Sequence, residues 1–419
     1  MTWVEPYPSD LGAADADLSD HDSFTAVVPH ATFQRLRAED PVSWCDKKDG
    51  RGFWSVTRYH DALDVSRDVE RFSSAQGISM DDLAPDEIAV RRSMIEMDPP
   101  EHTRLRRLLS RGFTRRTVEG FEERIRKLAV DVVEQALERD EFDFVSDIAK
   151  ELPMRMLGQL LGIRDDGKRL VELGDALLSN TDPDFTDHPV GFTDTEAFRL
   201  LPFRSPAALE LFEYADVEAE LRRREDRNDV IAQLLAPTTD GDPLTDLEFK
   251  NFFTLLVIAG NDTTRYTMTS ALLTLIEHPS LWKAWQDDRS LTETAVEEIL
   301  RTTTATCHMR RTATADTTLG GRRIKAGDKV IIWFISANHD EEAFERPFRF
   351  DLARSSNDHM AFGRNGPHFC LGAWLARMEV RLIFEELLDR VDHFELAGDI
   401  ARLRSNLILG VKTLPVKVC

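Results

Sequence analysis

Between residues 118 and 138, apolar side chains recur at Phe121, Ile125, Leu128, Val132 and Ala136, with Glu122, Arg126 and Glu134 between them. That spacing predicts a helix with one buried stripe. A longer pattern starts at Thr245, where Thr245 and Glu248 suit a capping box, and continues until His278 precedes Pro279. It predicts a helix of roughly 30 residues, ~45 Å long at ~1.5 Å per residue. Its apolar side chains fall on more than one face, as a helix crossing the middle of a large core requires. Asn180 to Pro206 contains Pro183, Pro189, Pro202 and Pro206 among Asp, Thr and Phe, which predicts an irregular, mobile surface segment. Strand signals are few. Lys329 to Ile335 is rich in Val, Ile, Trp and Phe, and Thr317 to Arg323 carries a Leu-Gly-Gly turn signal. The pattern predicts a mainly α chain with a small β region.

The chain has 419 residues, more than the ~250–300 at which one core usually stops growing, yet no repeat or low-complexity tract divides it. With 42% hydrophobic and 31% charged residues it is globular rather than disordered. The formal charge of -22 argues against nucleic acid or an anionic membrane as partner. Positive charge is clustered locally at Arg104, Arg106, Arg107, Arg111, Arg115 and Arg116, either a solvated helix face or a dock for an acidic protein. Residues 1–20 lack the basic and apolar regions of a secretory signal and read as an irregular N-terminal extension. The most apolar run, Phe252 to Gly260, is about half the ~20 residues a membrane span needs. A cytoplasmic protein without a membrane anchor is expected.

Cys45, Cys307, Cys370 and Cys419 lack zinc-type or disulfide-framework spacing and read as free thiols. Cys370 has the most informative neighbours. Phe362-Gly363-Arg364-Asn365-Gly366-Pro367-His368-Phe369-Cys370-Leu371-Gly372 is a glycine-rich loop leading into an amphipathic pattern, Ala373 to Arg390. Unpaired N–H groups and the helix dipole at such a start favour thiolate, the metal-binding form. Phe362 can shield the sulfur, while Gly366 and Gly372 relieve crowding near a flat macrocycle. Taken alone, a cysteine at a helix start is more often structural than a ligand. The wider pattern, however, resembles the haem-binding loop of the cytochrome P-450 superfamily: Phe, Gly, a basic residue two before the Cys and Gly two after it, here Phe362, Gly366, His368, Cys370 and Gly372. The loop is one residue longer than the common version, as in some bacterial members.

Upstream, Ala259-Gly260-Asn261-Asp262-Thr263-Thr264 interrupts the long helical pattern with residues of low helix propensity. Gly260 lets a ligand approach the backbone, and a hydroxyl beside a carboxylate can hold dioxygen, water and a proton relay. The segment looks like the superfamily's acid–alcohol pair. The resemblance implies that Thr263 stabilises the activated oxygen and Asp262 supports proton delivery. Glu298 and Arg301, spaced i, i+3, resemble its Glu-x-x-Arg motif, and Arg354 matches the arginine completing a structural triad. His102 and Arg106, in Asp98 to Arg106, together with Arg311 and His368, match positions that contact haem propionates. One departure is Ala305, where the family usually has Pro.

Such a resemblance covers residue 50 to the C-terminus. It implies the triangular P-450 fold, one catalytic domain over 1–419, and haem b between the central helix and the cysteine-loop helix, with Cys370 as axial iron ligand. The implied activity is that of a bacterial, soluble, class I type monooxygenase. It inserts one atom of O2 into a hydrophobic small molecule, terpenoid, sterol or fatty-acid-like, with electrons from NAD(P)H through ferredoxin reductase and ferredoxin. Ile78, Met80, Ala259, Gly260, Thr306, Cys307, Leu407 and Ile408 occupy substrate-pocket positions. Alternatives on the same fold are a peroxygenase, a haem isomerase, or a non-enzymatic haem sensor or carrier; Asp262 and Thr263 argue against the first two. Zinc on Cys370 and His368 alone would have too few ligands.

Overall fold

The computed structural model describes residues 2–4, 11–48, 50–110, 112–163, 167–225, 227, 229–236 and 244–419. Its longest element is the predicted central helix, Asp246–Glu277. The Thr245 hydroxyl accepts from the Glu248 N–H, the Glu248 carboxylate accepts from the Thr245 N–H, and Pro279 follows the last turn. Helical hydrogen bonding runs through the Ala259–Thr264 stretch without a break. Packing compensates for the poor propensity there, because Asn261, Asp262 and Thr264 are all buried.

Around this helix lie Glu151–Leu161, Lys168–Leu178, Ala207–Arg224 and Ala373–Arg390. Ile125, Ala129 and Val132 of Glu122–Ala136 join Leu382, Ile383 and Phe384 of Ala373–Arg390 in the largest core cluster. The helix predicted over 118–138 is divided at Gly120 and Phe121, with a short helix, Arg115–Glu119, before the break.

The β region is small, as expected. A five-stranded sheet has the order Val42–Cys45, Phe53–Val56, Lys329–Trp333, His308–Ala313, Phe72–Ser73, with one parallel pair between Phe53–Val56 and Lys329–Trp333. The predicted strand stops at Trp333, where a short helix, Phe334–Ala337, begins. Gly320 and Gly321, both at positive φ, turn the Thr317–Leu319 and Arg322–Ile324 hairpin. A three-stranded sheet joins Phe394–Leu396, Pro415–Val418 and Glu141–Asp143. Near the start of the chain, Trp3–Val4 pairs with Phe350–Asp351.

The proline-rich segment is irregular but anchored. Asp182 is buried and paired with Lys412 at 2.8 Å, and the Thr181 hydroxyl donates to the Arg404 carbonyl. Among the described residues, no helix is long and apolar enough to cross a membrane.

Candidate active site

A cavity of about 650 Å³ lies between the central helix and the loop that carries Cys370. Cys370 lines its floor. The loop is held by its own backbone. The Cys370 N–H donates to the Phe362 carbonyl at 2.8 Å and the Phe369 N–H to the Gly366 carbonyl at 3.1 Å. Gly363 and Asn365 take positive φ, which lets the loop turn back toward the Ala373–Arg390 helix. That helix start, with Arg106 and Arg377, pulls the thiol's pKa down, but burial is the larger effect and leaves it above the ordinary value. The expected net stabilisation of thiolate by the helix start is therefore absent from the protein alone; a bound cation would supply it.

The two loop glycines differ. A Cβ on Gly366 would stand 2.3 Å from the Ser66 carbonyl, so close approach to the end of the Tyr59–Arg67 helix excludes a side chain there, whereas the sequence suggested crowding by a macrocycle. A Cβ on Gly372 would meet nothing nearer than the Cys370 sulfur at 4.0 Å. Phe362 lines the cavity beneath the Arg377 guanidinium, 4.6 Å from its ring centroid.

Donor groups converge on one side of the cavity: His102, Arg106, Arg311 and His368. The His102 and His368 rings lie 4.3 Å apart. Both ring nitrogens of buried His102 lack partners, as does Nε of Arg311, whose Nη1 donates to the Arg310 carbonyl. Arg106 donates to the Phe369 carbonyl. Burial, then the charges of Arg311, His102 and Arg106, push the His368 pKa down to about 2. Orphaned buried donors crowded at one place call for an anion. With a sulfur on the cavity floor and apolar walls opposite, they fit a haem whose propionates face this cluster.

Gly260, Ala259 and Thr263 of the central helix line the opposite wall, and the Thr263 hydroxyl bonds only loosely to the Ala259 carbonyl, at 3.3 Å. Asp262 does not line the cavity. It turns into a buried cluster in which Asn261 donates to it at 2.9 Å and Arg265 lies 3.0 Å away. Arg265 also contacts Asp175 at 2.8 Å, and Lys150 reaches Asp175 at 2.9 Å. Burial raises the Asp262 pKa to about 8 despite Arg265, with Asp175 adding to the rise. Asp175 itself is held low by Arg265 and Lys150 against burial. The sequence reading missed Asp175, Lys150 and Arg265. Two of them lie about a hundred residues from Asp262, and Arg265 is visible only as an i, i+3 neighbour. It also missed Glu379, a buried, cavity-lining carboxyl beside Thr264 that burial raises to about 8.

The structure brings Glu298, Arg301 and Arg354 together. Arg301 grips Glu298 through two bonds of 2.8 Å, and Arg354 approaches it at 3.0 Å. Arg301 also donates to the carbonyls of Asn338 and Pro347, both at 2.7 Å, which ties the segment before the cysteine loop to the helix Thr292–Thr303.

Ile78, Met80, Thr306, Leu407 and Ile408 line the cavity as expected. Cys307 does not; it is fully buried with Phe33 and Trp333, its N–H bonded to the Leu407 carbonyl. The outer part of the cavity is more polar than the sequence suggested, with Arg91, Glu96, Arg204 and Arg404 on its wall. The run of arginines at 104–116 is divided: Arg104 pairs with Glu248, Arg106 points into the cysteine loop, and Arg115 pairs with Glu119 over the exposed Trp374 ring. Arg111 lies outside the described residues.

A sulfur, a cluster of orphaned donors and a hydroxyl-bearing helix thus face one another across one cavity. The chain belongs to the cytochrome P450 family, whose model matches residues 86–419. It is 37% identical to a methyl-branched lipid omega-hydroxylase of Mycobacterium tuberculosis, covering 98% of this chain and 96% of that one. It is 34% identical to a steroid C26-monooxygenase of Rhodococcus jostii, covering 96% and 84%. Among solved structures, a Mycobacterium marinum cytochrome P450 in complex with pseudoionone superposes with a TM-score of 0.84 at 37% identity, covering 99% of both chains. A cytochrome P450 of Bacillus megaterium in complex with testosterone gives 0.82 at 28% identity, covering 93% and 97%. The protein is a cytochrome P450 monooxygenase, and its cofactor is haem b.

Proposed function

We propose that this enzyme hydroxylates an elongated lipid-like molecule, terpenoid, sterol or fatty-acid-like, with Cys370 as the axial thiolate. The carrying observation is the cavity itself, which is lined by apolar side chains such as Leu157, Leu256, Ala259 and Ile408 and also by the charged groups Arg91, Glu96, Arg204 and Arg404. Apolar burial supplies affinity without direction, so a hydrophobe that carries a polar end matches that mixed lining best. The relatives named for steroid and branched-lipid hydroxylation support the reading.

In this proposal His102, Arg106, Arg311 and His368 hold the propionates, and Gly260 gives the cofactor and substrate room beside the backbone. Phe362 shields the sulfur, and Gly366 and Gly372 shape the loop around it. Haem bound to a thiolate supplies O2 activation, with the sulfur's electron density favouring O–O cleavage. The chain's own part is positional. Thr263 offers a hydroxyl to the reacting oxygen, and Asp262, protonated at neutral pH, stores the proton one residue away. Glu298, Arg301 and Arg354 fix the segment before the cysteine loop. Residues 1–419 act as one catalytic domain in the cytoplasm, with electrons from NAD(P)H through ferredoxin reductase and ferredoxin. Trp374, Arg115 and Arg377 provide an aromatic and basic landing point for an acidic donor.

The test is a carbon monoxide spectrum of the reduced protein and of Cys370→Ala, followed by spin-state titration with sterols, terpenoids and fatty acids. A strongly red-shifted Soret band lost in the variant supports Cys370 as ligand; a band that survives removes it. Spin-state shifts confined to small polar compounds would overturn the lipid assignment.

A further inference from the structure

Three ligand-type side chains meet outside the cavity, on the sheet formed by Phe394–Leu396, Pro415–Val418 and Glu141–Asp143. The ladder places them there. Phe394 pairs with Val418 and Glu395 with Lys417. The pairing extends one step further, because the Cys419 N–H donates to the His393 carbonyl at 3.0 Å and the His393 N–H returns to the Cys419 carbonyl at 3.4 Å. Residues that exchange both bonds stand directly opposite and project their side chains on one face. Glu395, two residues from His393, shares that face by the period of a strand. Phe394 between them points the other way, where its ring meets Phe142 and Trp282. The outcome is an imidazole nitrogen, a carboxylate oxygen and a thiol sulfur all within 4.8 Å of one another.

We propose that His393, Glu395 and Cys419 bind one divalent transition-metal ion of the zinc type. The mixed nitrogen, oxygen and sulfur set suits a borderline-soft cation and disfavours magnesium or calcium, which prefer oxygen alone. As the sulfur–metal bond forms, the thiol proton passes to solvent, and the resulting thiolate and the Glu395 carboxylate together neutralise the ion's two charges. Water completes the coordination. Side-chain rotation alone draws the ligands together, since the backbone ladder already sets their spacing. Lys417, opposite Glu395, places a like charge beside the ion and limits affinity. Bound metal would clamp the edge strand Phe394–Leu396 to its neighbour and keep an exposed thiol out of reach of oxidants. None of the three residues lines the haem cavity, so this site is separate from the oxygenase centre.

The experiment titrates Zn2+ into haem-loaded protein in competition with a chromophoric zinc chelator, for the parent chain, His393→Ala, Glu395→Ala and Cys419→Ser. The side chains of His393 and Glu395 are 48% and 61% exposed and Cys419 is exposed, so the substitutions remove ligands without opening the core. We expect one ion per chain with a dissociation constant of about 1–10 μM, weakened at least roughly tenfold by each substitution. Zn2+ should also slow alkylation of Cys419, read by peptide mass. No uptake at about 100 μM Zn2+, or undiminished uptake in any one of the variants, would overturn the three-residue site. The carbon monoxide spectrum should be the same for all four proteins, which keeps this outcome independent of the haem assignment.

Discussion

Asp262 and Asp175 share one guanidinium: Arg265 stands 3.0 Å from the first and 2.8 Å from the second. Lys150 adds a second cation to Asp175 only, so Asp175 keeps the negative charge and Asp262 keeps the proton. In the role proposed for Asp262, this buried proton is the one that oxygen chemistry at the Thr263 wall draws on. Asp262→Asn should therefore reduce turnover by roughly 100-fold or more, with substrate-induced spectral shifts preserved. Product formed per NAD(P)H consumed is the measurement.

The same pair gives a pH prediction. Turnover that depends on protonated Asp262 should fall as pH rises through about 8. Asp175→Asn removes an anion that holds Asp262 up, and leaves Arg265 to Asp262 alone. The falling limb should then move to lower pH. A limb that stays in place would show that Asp175 does not set the acidity of Asp262.

Glu379 links pH to stability. Burial raises its carboxyl to about 8 from an ordinary 4.5. Between these values the folded state holds a proton that the unfolded state has lost, so stability declines as pH rises across that window, by at most about 1.4 kcal/mol per unit. Above about pH 8 this contribution levels off. Glu379→Gln should flatten the slope, measured by denaturant unfolding between pH 5 and 8.

The two loop glycines should respond differently to the same change. Gly366→Ala drives a methyl into the Ser66 carbonyl and should cost about 1–3 kcal/mol with loss of haem content. Gly372→Ala meets no protein atom nearer than 4.0 Å, so it should leave the fold's stability unchanged, and any loss of haem content would report crowding of the cofactor itself. Haem absorbance per protein after purification tests both.

Breaking the buried ion pair should be more damaging. Arg301 and Glu298 are fully buried, and Glu298→Ala would leave the guanidinium without a counter-charge, a loss of about 3–5 kcal/mol. Exposed pairs such as Lys127–Glu123 should shift stability by less than about 1 kcal/mol. Paired denaturation curves would show the contrast.

What was readable in the sequence follows the range of the forces involved. The central helix was readable to the residue because its stops are local: a capping box at Thr245 and a proline after His278. The loop around Cys370 was readable because its turns demand particular residues at fixed spacing. The cluster of His102, Arg106, Arg311 and His368, drawn from three segments, was legible only through resemblance, since nothing in the chain links His102 to Arg311 before it folds. Asp175 was invisible for the same reason, and its meaning lies in a partner on another helix. The contact that excludes a side chain at Gly366 was not legible, because a carbonyl from a helix three hundred positions upstream leaves no mark on the loop's own sequence. The irregular segment 180–206 was recognised from its prolines, while its anchorage through Asp182 to Lys412 depends on a residue from the other end of the chain.

The pairing of Trp3–Val4 with Phe350–Asp351 sets an order on synthesis. About 350 residues separate these partners, so the earlier strand leaves the ribosome long before anything exists for it to pair with. Asp351 also donates its N–H to Glu298 at 2.9 Å. Trp3–Val4 can pair only after that later segment has been made, and it fastens onto the strand that carries a contact to the buried ion pair. Fusions placed ahead of Trp3 would therefore bear on a contact between segments about 350 positions apart.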